Sequence, residues 1–182
     1  MLTSVHKKTL LGFSLIELII AIAIVGLVSA IAMPGYATWI KNSRARTAAE
    51  SIQNGLQTAR AEAVKRNSLI EFQLVKISSN PLNSEWKISS CTTATSCLTP
   101  LQSRKASEGS SAEIIVNASP SASNKIVFNN LGSVSANPIP FTQLDISLSG
   151  ADRPLRVTLG VGGNTRLCDP STSLAASDPR RC

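Results

Sequence analysis

From Phe13 to Met33 the chain is apolar except for Ser14, Glu17 and Ser29, and as a helix at about 1.5 Å per residue this run reaches roughly 31 Å, enough to cross a bilayer core. The pattern predicts helix from Phe13 to about Asn67 with one interruption at Pro34-Gly35. Pro34 lacks an N–H, and its ring meets the carbonyl of Ala30, so a kink or a short melted stretch is expected there, with Gly26 a weaker point. Beyond it, Ala45, Ala49, Ile52, Leu56, Ala59 and Ala63 recur at steps of three and four, a narrow stripe of small residues that lets a helix lie close to a sheet. Lys41, Arg44, Arg46, Arg60, Lys65 and Arg66 occupy its other sides, with Glu50 and Glu62 as local partners.

After Asn67 the period changes to two. Leu69 to Val75 alternates with Ile70, Phe72 and Leu74 on one face. Short runs follow at Trp86–Ile88, Glu113–Val116, Lys125–Phe128, Asp145–Ser149 and Leu155–Val161, separated by Ser, Asn, Pro and Gly clusters. The polar stretches Ser78–Ser84 and Asn117–Asn124 are expected as surface loops. The predicted class is α+β: a long N-terminal helix whose carboxyl half packs on an antiparallel β head. The organisation is a basic leader over 1–12, an apolar helix over 13–33, an amphipathic half over 34–66 and a β head over 67–182.

At 182 residues the chain suits one domain and an anchor, and it carries a formal charge of +7, of which Lys7 and Lys8 contribute two. Such a balance permits contact with anionic surfaces or nucleic acid without demanding either. Cys91, Cys97, Cys168 and Cys182 all lie beyond the anchor, an even count that reads as two disulfides made in an oxidising compartment. Three pairings exist on paper, and proximity favours Cys91 with Cys97 and Cys168 with Cys182. The spacings are poor for zinc, and the one histidine, His6, is in the leader.

Catalytic chemistry is not expected. Without a histidine beyond residue 6 there is no Ser-His or Cys-His pair to build, the acids are scattered singly, and Gly160-Val161-Gly162-Gly163 lacks the Lys-Ser/Thr of a phosphate loop. No cofactor, metal or small-molecule substrate is implied.

Lys7-Lys8-Thr9-Leu10-Leu11-Gly12-Phe13-Ser14-Leu15-Ile16-Glu17 resembles the class III signal of type IV pilins and type II secretion pseudopilins. The resemblance implies that prepilin peptidase cuts between Gly12 and Phe13 and methylates the Phe13 amine. Two other readings of the segment exist: a secretory signal cut after Ala30-Ile31-Ala32, and a plain membrane anchor. Both leave Glu17 unexplained, because a carboxylate in hydrocarbon costs about 2.5 to 3.5 kcal/mol and an ordinary anchor avoids one. The resemblance gives that acid an assembly role, paired with the N-terminal amine of a neighbouring subunit, and makes Gly26 and Pro34 points of local melting in a filament.

The tail from Gly162 through Cys168 to Asp178-Pro179-Arg180-Arg181-Cys182 resembles minor pilins of the GspH/FimT family. FimT-type members bind double-stranded DNA in natural transformation through a G-R-x-R motif. Here the window is Gly163-Asn164-Thr165-Arg166, with Asn164 in the place of the first arginine, leaving Arg166, Arg180 and Arg181 as candidate contacts. The resemblance implies a minor pilin that primes and enters a type IV pilus. Its alternatives are a type II secretion minor pseudopilin and a DNA-binding pilin. Expected partners are other minor and major pilins, the peptidase, and the inner membrane of a Gram-negative bacterium, followed by an extracellular pilus or a periplasmic pseudopilus.

Overall fold

The computed structural model describes residues 13–76, 82–108, 110–121 and 123–182. Leader residues 1–12, with Gly12, lie outside the described residues, as does most of the expected Ser78–Ser84 loop. Among the described residues there are one helix, α1 (Leu15–Arg66), and eight strands: β1 (Leu69–Lys76), β2 (Leu82–Thr93), β3 (Ser96–Arg104), β4 (Ile115–Ser119), β5 (Lys125–Phe128), β6 (Gln143–Ser147), β7 (Leu155–Leu159) and β8 (Thr165–Cys168). The chain divides into two compact units, one ending at Ala37 and one spanning Thr38–Cys182.

Helical backbone runs through Pro34 to Arg66. It stops at Asn67, which takes φ 50°, the left-handed conformation Asn tolerates better than most residues. Ser68 N–H then donates to Ala63 O and Asn67 N–H to Val64 O, so two orphan carbonyls of the last turn are satisfied. Asn130 donates its side-chain amide to Asn67 Oδ1, tying this cap to the head.

The sheet order is β5-β1-β2-β4-β6-β7-β8, with β3 also paired to β2, and every pair is antiparallel. All six stripe residues from Ala45 to Ala63 are fully buried, together with Ala48. They pack with Ile70, Phe72 and Leu74 of β1, Ile88 of β2, Ile126 and Phe128 of β5 and Leu144 and Ile146 of β6 in one core. Gly55 faces the aromatic pair of that core: a Cβ there would lie 2.8 Å from Phe72 Cε2 and 2.9 Å from Trp86 Cε2. Helix and sheet therefore approach to a distance only glycine permits at this point.

The strands differ from expectation in ways that share a cause. β3 and β8 have no alternating apolar pattern, because β3 is largely exposed and β8 is a four-residue edge. β2 extends well beyond Trp86–Ile88, since Asn83, Ser84 and Ser89 are buried polar residues inside it. The expected loops give up residues 82–84 to β2 and 117–119 to β4. Ladder hydrogen bonds are made by backbone and do not register side-chain polarity. β6 begins two residues earlier than expected, and β7 ends at Leu159 because Gly160 opens the next turn.

Candidate functional site

Two regions hold the residues singled out by sequence. At the start of α1, Ser14 is the N-cap: its Oγ accepts from Glu17 N–H at 3.3 Å, the geometry of a Ser-x-x-Glu helix start. Glu17 is thereby placed in the first turn, where the positive end of the helix dipole favours an acid. Among the described residues, no hydrogen bond or ion pair reaches its carboxylate. Around it the apolar side chains from Phe13 to Val28 point outward, from 47% exposed at Ile19 to 84% at Phe13. Gly26 lies in open space on the same helix. No single helix among the described residues is long and apolar enough to cross a membrane; Leu15–Ala30 and Gly35–Arg66 meet that condition together, by length and composition.

The second region is the C-terminal tail. β7 and β8 form a hairpin whose turn closes through Gly163 N–H to Gly160 O at 2.8 Å and Gly160 N–H to Asn164 O at 2.9 Å. Gly163 has φ 78°, and a side chain there would run into the Gly132 carbonyl, so this glycine is required by a turn rather than by a phosphate. Arg60 of α1 donates to that same Gly132 carbonyl at 3.1 Å, and Gln57 donates to Thr165 Oγ1 at 3.3 Å, which seats the hairpin on the helix.

Cys168 is joined to Cys182, and Cys91 to Cys97. The Cys91–Cys97 bridge links directly paired residues of β2 and β3, while the Cys168–Cys182 bridge closes the tail onto β8. Asp169 N–H donates to Arg180 O at 2.7 Å, and Cys182 N–H donates to Asp169 O at 3.1 Å. Arg166 fastens the same tail: its Nη2 donates to Pro179 O at 3.1 Å and to Arg181 O at 2.8 Å. Arg180 forms a two-bond pair with Asp178, at 3.0 and 2.7 Å. That guanidinium holds the Asp178 carboxyl down at about 2, and the carboxylate in turn raises Arg180. Arg181 donates to Leu174 O at 3.4 Å.

The disulfide and the strands bring Arg166, Arg180 and Arg181 into one tail, and each makes hydrogen bonds within it. Asn164 stands in the hairpin turn. Sequence reasoning missed Ser51, Gly55, Gln57 and Asn42, whose helix positions carry no motif, and it marked Arg60 only as one of the cations on the sides of α1. The signal for Ser14 is the Ser-x-x-Glu spacing with Glu17 at the start of the apolar run.

A long helix with an outward-facing apolar start, followed by an antiparallel sheet packed on its carboxyl half, defines a type IV pilin-like subunit. The family model described as Type II transport protein GspH matches residues 48–163, and that of the prokaryotic N-terminal methylation motif matches residues 11–33. The chain belongs to the GspH family of minor pilins and pseudopilins. Its fold resembles a crystal structure of the Pseudomonas aeruginosa type IV minor pilin FimU, at a TM-score of 0.55 and 22% identity over 67% of this chain and 86% of that one. The solution structure of E. coli GspH aligns at a TM-score of 0.47 and 19% identity, over 74% of this chain and 94% of that one.

Proposed function

We propose that this chain is a minor pilin that primes assembly of a type IV pilus and is incorporated into it. One observation carries the reading: apolar side chains stay exposed along the start of α1 around a single acid that has no partner among the described residues. Exposed apolar area favours association at roughly 25 cal/mol per Å², and a lone carboxylate in such a surface becomes tolerable when a cation meets it. The amine of Phe13 in the next subunit, freed by cleavage after Gly12, is the cation that a helical stack supplies. Glu17 then sets the axial register, and the head faces partner pilins. Gly26 and Pro34 are the points where the helix loosens on packing.

The pilus is preferred to the type II secretion pseudopilus because of the tail, in which a disulfide, a carbonyl-capping arginine and an ion pair stiffen the last fourteen residues. A DNA-binding role is the reading this tail supports least, since Arg166 and Arg180 already have strong partners and Asn164 adds no charge. Gene deletion and complementation test the proposal. Loss of pili and of twitching, restored by the wild-type chain, is the expected result. Retention of pili with exoproteins held in the periplasm overturns it in favour of the pseudopilus. Mass spectrometry should find N-methyl-Phe13 as the mature start.

A further inference from the structure

The end of the head where the chain enters carries cations from two distant parts of the sequence. Lys41 and Arg44 belong to α1, and Arg153 to the loop between β6 and β7. Asn42 fastens that loop to α1: its amide donates to Asp152 Oδ1 at 2.6 Å, and its Oδ1 accepts from Asp152 N–H at 3.1 Å and Arg153 N–H at 3.3 Å. Lys41 lies over Gly150 of the same loop, so close that a side chain at Gly150 would strike its ammonium. The Asp152 carboxylate is engaged by Asn42. Among the described residues no hydrogen bond or ion pair occupies the side chains of Arg44 and Arg153, both exposed. Trp39, close by on the same helix, is 63% exposed.

Along the chain, residues 18–40 contain no Asp, Glu, Lys or Arg. By length and composition such a stretch suffices to cross a hydrocarbon core of about 30 Å. Trp39, Lys41 and Arg44 stand at or just beyond the end of this stretch in sequence, and Arg153 is brought to the same part of α1 by its N–H bond to Asn42, so the four belong at the headgroup level that borders the stretch. Trp prefers that depth, where its ring is apolar and its N–H is wet. Lys and Arg directly beyond a span on the exported side run against the usual bias of cations toward the cytoplasm. Contact with anionic headgroups offsets that disadvantage, and it explains why the loop bearing Arg153 is fastened to the helix at this level.

We propose that Trp39, Lys41, Arg44 and Arg153 form a seat for anionic phospholipid headgroups that fixes the depth of the unassembled subunit in the membrane. The proposal rests on the anchored-pilin reading and adds to it a second, head-borne lipid contact. Release from this seat then accompanies transfer of the subunit into a filament.

The test uses the full chain in vesicles of phosphatidylcholine with or without phosphatidylglycerol. Trp39 is exposed and Trp86 is buried, so quenching by lipid-borne bromine reads Trp39, and Trp39→Phe should remove it. Bromine near the headgroup is expected to quench more than bromine deep in the chain. Amide exchange over residues 150–153 should slow several-fold on adding phosphatidylglycerol. Arg44→Gln with Arg153→Gln should erase that slowing while quenching persists, and Arg44→Lys with Arg153→Lys should keep it. Strongest quenching by deep bromine, or exchange indifferent to anionic lipid, overturns the seat alone. A chain that fails to float with vesicles of either composition overturns the anchor as well.

Discussion

The indole N–H of Trp86 donates to Ser51 Oγ at 3.0 Å across the boundary between α1 and the sheet, and both residues are buried. Ser51 is a buried polar residue beside the stripe of α1, and it pins the largest side chain that β2 contributes to the core. Ser51→Ala leaves the indole N–H unpaired in the core. A loss of about 1 to 3 kcal/mol is expected, read as a lower denaturant midpoint at unchanged slope.

Gly55 one turn on tests the close approach of the same two elements. Alanine gains about 1 kcal/mol of helix propensity over glycine, but its methyl would press on the Phe72 and Trp86 rings, which are buried and 5.8 Å apart by ring centre. Overpacking of this kind costs about 1 to 3 kcal/mol, so Gly55→Ala is expected to be neutral to destabilising and Gly55→Leu strongly destabilising. Thermal melts of the two variants beside wild type check the order. A stabilised Gly55→Ala would mean that helix and sheet separate more easily than the geometry implies.

Acid should loosen the tail through Asp178. Its folded pKa, about 2, lies below the ordinary 3.8 because Arg180 hydrogen-bonds the carboxylate. A depressed carboxyl contributes stability that is present in full above the unfolded pKa and is lost as pH falls through the folded one. The window is therefore from about pH 4 down to about 2. Carboxyl NMR should follow Asp178 titrating at about 2 in wild type and nearer its ordinary value in Arg180→Gln. An unchanged midpoint in that variant would remove Arg180 as the cause.

Long-period patterns were legible in the sequence, and contacts made by backbone were not. The stripe from Ala45 to Ala63 and the alternation of Ile70, Phe72 and Leu74 encode burial in side-chain identity, and both emerge as core. β3 contains Pro100 and mostly exposed residues; it exists because β2 and the Cys91–Cys97 bridge hold its backbone. β8 is held by its backbone ladder to β7, and the second disulfide closes the tail that carries the Asp169–Arg181 bridge. At the site, charge and spacing marked Arg166, Arg180 and Arg181, but charge alone cannot reveal that Arg166 spends its guanidinium on two carbonyls.

Arg166 accordingly has a structural job that mutation can isolate. Arg166→Gln removes donors to Pro179 O and Arg181 O, leaving the tail held by the Cys168–Cys182 bond and the Asp169 backbone contacts. Faster proteolysis and amide exchange over residues 169–182 are expected, with the stability of the head lowered by about 1 to 2 kcal/mol at most. Cys168→Ser should loosen the same segment further, since closing a loop of this length contributes about 3 kcal/mol. If Arg166→Gln leaves the tail as protected as in wild type yet abolishes a salt-sensitive shift of duplex DNA, the arginine serves nucleic acid instead.

Glu17 separates insertion from assembly. In the single subunit it stands in the first turn behind the Ser14 cap, so its replacement costs the helix only the few tenths of a kcal/mol of a first-turn acid. In the proposed stack of subunits the same carboxylate would partner a neighbour's amine, and its loss would strand a buried cation, an error of several kcal/mol per contact. Glu17→Val should therefore still fractionate with membranes, better than wild type by virtue of its lower polarity, while disappearing from sheared filaments. Glu17→Asp keeps the charge about one bond short and should incorporate partially. Immunoblots of membrane and sheared fractions read both outcomes. A Glu17→Val chain that enters filaments at wild-type level would show that register is set elsewhere on the helix.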